Sequence, residues 1–211
     1  MTENHCGYAA LVGRPNVGKS TLLNGMVGQK LAITSHKPQT TRHTILGIST
    51  SNLGQILFVD TPGIHQRTDK RRKAFSHYLN RAAIGVLADV DLVLFVVEAL
   101  AWTDEDESVL KSLEGRKSPV VLVVNKVDRI KDKEALLPFL QEISKKFSFA
   151  EIVPVSASKG SNLSTLESLV LELLPEGENA FEEDEVTDRS ERFFAAELLR
   201  EQLTRRYSQE I

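Results

Sequence analysis

Three short stretches of this chain carry the residue types of nucleotide chemistry. Gly13-Arg14-Pro15-Asn16-Val17-Gly18-Lys19-Ser20 has the spacing G-x-x-x-x-G-K-[ST] of a phosphate-binding P-loop. Its glycines let the backbone turn sharply and come close to an anion, which then meets main-chain N–H groups and the positive end of a helix. Lys19 is placed to reach the β and γ phosphates, the Ser20 hydroxyl to ligate Mg²⁺, and Thr21 continues the helix start. Asp60-Thr61-Pro62-Gly63 supplies a carboxylate for the metal, through a water, and a Gly63 N–H that can detect a γ-phosphate.

Asn125-Lys126-Val127-Asp128 discriminates most sharply. Guanine presents N1–H and N2–H₂ donors on one edge, and a fixed carboxylate such as Asp128 accepts both. Adenine offers no such pair and would leave the carboxylate unmatched. The aliphatic stem of Lys126 can lie along the base plane, and Asn125 can brace base loop and P-loop together. Ser156-Ala157-Ser158 can offer N–H groups to the guanine O6. Thr40 and Thr41 stand in a polar loop over residues 29–43, and one of their hydroxyls should complete the Mg²⁺ shell; spacing alone does not choose between them.

These residues need strand ends to hold them. Residues 7–12 read as a buried strand and 18–28 as the first helix. Residues 44–50 and 55–60 read as a hairpin around Ser51-Asn-Leu-Gly54. The β-branched runs 91–97 and 119–124 read as strands buried on both faces of a parallel sheet. A capped helix is expected from Thr103, a helix over 132–146 with Pro138 as a kink, a short strand at 152–155, and an amphipathic helix from Asn162 to Leu174. The pattern predicts an α/β P-loop NTPase fold. Its six-stranded, mostly parallel sheet has one antiparallel strand and helices on both faces, and a helical segment follows. Gly13, Asp60, Asn125 and Ser156 all follow strands directly, so the carboxyl edge of one sheet gathers them.

With 211 residues, 41% hydrophobic, 26% charged and a net charge of −3, overall charge makes no case for nucleic-acid binding. Lys70-Arg-Arg-Lys73 is the one dense basic run and reads as a solvated face. Cys6 is the only cysteine, so an internal disulfide is excluded and a cytoplasmic setting expected. No signal peptide or membrane-spanning run is read. Residues 1–175 are expected to form the nucleotide domain and the acidic stretch 176–187 an exposed linker. Asp188-Arg-Ser-Glu191 looks like a capping box opening a helix over 188–211.

The order of P-loop, Thr-Thr-Arg loop, Asp-Thr-Pro-Gly, Asn-Lys-Val-Asp and Ser-Ala-Ser resembles the TRAFAC class of GTPases. More narrowly it resembles the bacterial Era family, on Pro38-Gln-Thr-Thr-Arg-His43, Phe95-Val-Val97 with Trp102-Thr103, and Thr187-Asp-Arg with Glu191-Arg-Phe193. The resemblance implies GTP binding and hydrolysis to GDP, with Mg²⁺ held by Ser20, Asp60 and Thr41. It also implies a role in 16S rRNA processing and 30S subunit assembly, with the inner membrane surface as a further location and a monomeric state expected. Family members carry a C-terminal KH domain for rRNA. Here 188–211 is expected to be its first helix, with no Gly-x-x-Gly clamp after it, so the rRNA-binding KH site is expected to be absent from this chain. Ile64 stands where Ras-like switches place a water-orienting Gln, so slow intrinsic turnover is expected, and His65 reads as a solvated loop residue. In K⁺-stimulated relatives an Asn at the place of Asn16 helps hold the cation, which makes K⁺ a second candidate cofactor. A tRNA-modification or 50S-assembly GTPase, and a nucleotide-gated binding module with negligible turnover, are the alternatives. An ATP-dependent kinase sharing only the P-loop is disfavoured by Asp128.

Overall fold

The computed structural model describes residues 4–34, 44–61 and 90–206. Among the described residues six strands form one sheet in the order β2-β3-β1-β4-β5-β6. They are β1 (His5–Val12), β2 (Ile45–Ser51), β3 (Gly54–Asp60), β4 (Leu92–Glu98), β5 (Val120–Asn125) and β6 (Glu151–Pro154). All neighbours run parallel except β2 against β3. The early hairpin is therefore the antiparallel exception, as the short turn between its two runs predicts. The turn is tighter than expected: β2 ends at Ser51 and β3 begins at Gly54, leaving Asn52 and Leu53 between them.

Period-two alternation sorts the strand side chains to two faces. Leu11, Ile56, Phe58, Leu94, Val96, Val121 and Val123 point to one face. There they meet Leu22, Leu23 and Met26 of α1 (Lys19–Val27) and Leu166 and Val170 from Leu163–Leu173. Ala10, Val12, Phe95, Val97, Leu122 and Val124 point to the other, against Val109, Leu110 and Leu113 of α2 (Asp104–Leu113) and Ile143 of α3 (Leu136–Ile143). The helix Leu163–Leu173 is α4. Helices thus cover both faces of a sheet whose central strands are buried over Ala9–Val12 of β1 and Leu92–Val97 of β4.

Local chemistry sets the helix boundaries. At α2 a reciprocal box is complete: Thr103 Oγ1 accepts from the Asp106 N–H, and an Asp106 carboxylate oxygen accepts from the Thr103 N–H at 3.0 Å. The expected helix over 132–146 divides into a short turn, Lys133–Ala135, and α3. Pro138 lies in the first turn of α3, where a missing N–H costs nothing, so it starts the helix rather than kinking it.

After Pro175 the chain runs beside the sheet. The Cys6 N–H donates to the Pro175 carbonyl, and the Ile48 N–H to the Val186 carbonyl at 2.9 Å. Gln55 is fully buried; it donates to Thr50 Oγ1 and the Phe181 carbonyl and accepts from the N–H groups of Ala180 and Phe181. The acidic side chains of 182–185 face solvent, while the main chain on either side, at Ala180, Phe181 and Val186, is bonded to Gln55 and Ile48. The last helix, α5 (Glu191–Arg206), begins three residues after Asp188: the Ser190 carbonyl accepts from the Phe193 and Phe194 N–H groups, and Asp188 pairs instead with Arg189. Ala196 and Leu199 face outward, whereas Glu197 and Glu201 turn inward.

Candidate guanine nucleotide site

At the carboxyl end of β1 the chain turns through Gly13 and Gly18 into α1. Both glycines have positive φ, 149° and 104°. A Cβ on Gly13 would stand 2.3 Å from the Val96 carbonyl oxygen, and one on Gly18 2.4 Å from Asn125 Nδ2. The loop therefore lies against β4 and β5 too closely for any side chain, as a main-chain anion cradle requires. Asn16 also takes the left-handed conformation, with φ 63°. Val17 is buried in the core, so its contribution is main-chain.

Lys19 is buried and curls over the loop, donating to the carbonyls of Gly13 and Arg14 at 2.9 and 3.0 Å. Burial lowers its pKa from 10.5 to about 8, against the pull of Asp60. The Ser20 hydroxyl donates to Asp60 Oδ2 at 2.8 Å. A hydroxyl and a buried carboxylate in contact are hard oxygen donors of the kind Mg²⁺ takes. Thr61 is buried and donates to the Leu11 carbonyl at 2.8 Å, which fixes the end of β3 beside β1. Pro62, Gly63, Ile64, His65, Thr40, Thr41 and Lys70–Lys73 lie outside the described residues.

The base side is built at the ends of β5 and β6. Asn125 is buried; its Nδ2 donates to the Val17 carbonyl at 2.9 Å and its Oδ1 accepts from the Lys126 and Ala157 N–H groups. The Val127 N–H donates to the Val155 carbonyl, so the two loops are joined through main chain as well. Asp128 opens to solvent, and its carboxylate accepts from Ser156 Oγ at 2.5 Å and Ser158 Oγ at 3.5 Å. The Ser156 hydrogen bond leads in holding the Asp128 carboxyl below its usual range, so it is ionised and aimed at neutral pH. The structure thus gathers the phosphate and base residues on one edge and gives Ser156 and Ser158 a side-chain role beyond the expected main-chain one.

Two charged residues here escaped the sequence reading. Glu98 ends β4, and its carboxylate accepts from Lys126 Nζ at 2.8 Å and Arg14 Nη2 at 3.5 Å. Asp106, fully buried at the start of α2, accepts from Arg14 Nε at 3.0 Å. Glu98 had a signal: like Gly13, Asp60 and Asn125 it directly follows an apolar strand run. Asp106 looked only like a helix-capping acid.

Sheet order, phosphate cradle and ionised base-reading carboxylate together define a P-loop GTPase. Residues 8–126 match the family model described as "50S ribosome-binding GTPase". Over 99% of this chain, the GTPase Era of Ectopseudomonas mendocina is 55% identical and that of Marinobacter nauticus 56%; the chain spans 69% and 68% of their lengths. Among solved structures, Aquifex aeolicus Era bound to GDP·AlF₄⁻ superposes with a TM-score of 0.91 at 41% identity, over 98% of this chain and 69% of that one. Era in complex with MgGDPNP and nucleotides 1506–1542 of 16S ribosomal RNA gives 0.92 at 41%, over 99% and 70%. The chain belongs to the Era family of GTPases: it binds GTP and hydrolyses it to GDP and phosphate.

Proposed function

We propose that this chain is the nucleotide-driven switch of a small-subunit assembly factor acting on 16S rRNA and the 30S particle. The observation that carries the reading is the guanine-selective site, read beside the relative that holds a GTP analogue and a 16S fragment together. Ser20 and Asp60, with Thr41, would hold Mg²⁺, which when bound neutralises charge on the β and γ phosphates. The chain's own parts do the positioning. Main-chain N–H groups of the Gly13–Gly18 loop other than Pro15 grip the phosphates, Lys19 leaves the loop carbonyls for them, and Asp128 accepts the guanine edge. With Ile64 in place of a Gln, intrinsic turnover is slow. K⁺ held at Asn16 would offset charge developing on the leaving phosphate. The protein would act as a monomer in the cytoplasm, which its single cysteine favours, and at the cytoplasmic face of the inner membrane, a location that rests on the family resemblance. No described helix is long and apolar enough to cross a membrane.

The test is phosphate release from GTP over several hours, with and without 30S particles, together with a GTP-against-ATP binding competition. Release that rises with 30S, and displacement by GTP alone, support the switch. Release at the blank level would leave a binding module, and equal release with and without 30S would remove the particle as a stimulus of this chain's turnover.

A further inference from the structure

We propose that Glu98 is a positioning residue for guanine nucleotide: its carboxylate holds Lys126 of the base loop in place and ties it to Arg14 of the phosphate loop. The inference rests on the guanine-nucleotide reading of the site.

The main chain of Glu98 is fixed before its side chain is considered. It pairs in register with Asn125 at the ends of β4 and β5. The Ala99 N–H donates to the Asn125 carbonyl at 2.8 Å, and the Ala101 N–H returns to the Glu98 carbonyl at 3.1 Å. From this anchor the carboxylate meets two cations from two different loops, Lys126 at 2.8 Å and Arg14 at 3.5 Å. Arg14 is gripped from its far side by Asp106 at 3.0 Å, and Asp106 also accepts from the Thr103 N–H and hydroxyl. A line of alternating charge, Lys126–Glu98–Arg14–Asp106, thus links the base loop to the phosphate loop and to the first turn of α2.

These side chains are well shielded: Lys126 is 18% exposed, Glu98 28%, Arg14 15% and Asp106 0%. Pairs in such a setting are less screened than surface pairs, and removing one partner leaves the other poorly compensated. Burial pushes the Glu98 carboxyl upward, but the hydrogen bond and charge of Lys126, with Arg14 and Arg129 behind it, outweigh this and keep it ionised. Lys126 itself sits at φ 66°, a conformation that favours glycine, so its backbone is constrained where its stem must lie along a base. A free lysine has a long flexible stem to order when the ligand arrives; one already held by Glu98 has much less.

Two effects of Glu98 on an anionic ligand have opposite sign. Its own negative charge repels the nucleotide at long range, so by Coulomb's law alone its loss would slow nucleotide release. Its hold on Lys126 acts the other way. Glu98→Gln keeps the shape and removes the charge, and release of fluorescent GDP is measured by stopped flow in the wild-type and Lys126→Met backgrounds. The expected result is about tenfold faster release in the wild-type background and less than twofold change in the Lys126→Met background, where the contact is already gone. Glu98→Asp, which keeps the charge, should recover part of the loss. An unchanged or slower release, or an equal acceleration in both backgrounds, would overturn the proposal. Melting of the nucleotide-free variants shows whether they fold. Failure of the parent protein to bind GDP at all would instead overturn the guanine-nucleotide reading itself.

Discussion

The Asn125 side chain donates to the Val17 carbonyl at 2.9 Å, so the base-reading loop is bonded directly to the wall of the phosphate loop. The same side chain accepts from the main chain of Lys126 and Ala157. One buried amide therefore sets the distance between the groups that read the base and those that grip the phosphates. It also explains Gly18, because a Cβ there would fall 2.4 Å from Asn125 Nδ2.

Asn125→Ala would strand a carbonyl and two N–H groups around a site that is 2% exposed. With each stranded group costing about 1 kcal/mol or more, we expect a loss of roughly 3 kcal/mol. The nucleotide-free protein should melt roughly 6–12 °C lower by calorimetry. A shift smaller than 2 °C would mean the three bonds are replaced by water at little cost.

Asp128→Asn keeps the shape held by Ser156 but exchanges one acceptor for a donor. Guanine then meets a donor with a donor, whereas xanthine, with a carbonyl in place of the 2-amino group, is matched. GTP affinity should fall on the order of a thousandfold or more, and XTP should become the better competitor. Fluorescent-nucleotide displacement reads both; undiminished GTP preference would refute the role of Asp128.

Lys19 has a depressed pKa of about 8 in the nucleotide-free site. Bound phosphates favour its charged form, so GDP binding above pH 8 must draw in a proton. At pH 8.5 roughly three quarters of a proton per GDP is expected, read by calorimetry in buffers of different ionisation enthalpy. Affinity should weaken as pH rises through 8. Stability has the opposite sign: the folded pKa lies below the unfolded one, so the nucleotide-free fold binds fewer protons and gains stability from about pH 8 to 10.5. Zero proton uptake would mean Lys19 is charged throughout.

If Asn16 helps hold a monovalent cation, GTP turnover should be several-fold faster in KCl than in NaCl at equal ionic strength, and Asn16→Ala should abolish the difference while leaving GDP bound. Phosphate release in the two salts decides it; equal rates exclude the cation role.

The sheet and its carboxyl-edge site were legible because the signals are local. The runs leading into β4 and β5 are apolar, a short turn at Ser51-Asn-Leu-Gly54 marks the hairpin, and each motif lies at or just past a strand end. What escaped depends on partners distant in sequence. Pro138 looked like a kink only because the start of α3 was placed too early. The stretch 176–187 looked like free linker because its holder, Gln55, lies on β3. In α5 Phe193 and Phe194 pack against the core, but further along the helix the inward groups are charged: buried Glu201 pairs with Lys30 at 2.5 Å and accepts from the Thr34 N–H, so hydrophobic periodicity does not identify that part of the face. Glu98 carried a positional signal, but its meaning needed the distances to Lys126 and Arg14.

The strap that follows Pro175 has a further effect on how the molecule keeps to itself. β2 is an outermost strand, and an open strand of that kind offers unpaired main-chain groups to any second chain that can add alongside it. Here the Ile48 N–H is taken by Val186 and the Leu46 carbonyl by the Thr187 hydroxyl. At the opposite rim β6 is four residues long and ends in Pro154, which has no N–H to donate. Both rims are thereby blunted against the addition of a further strand from a second chain.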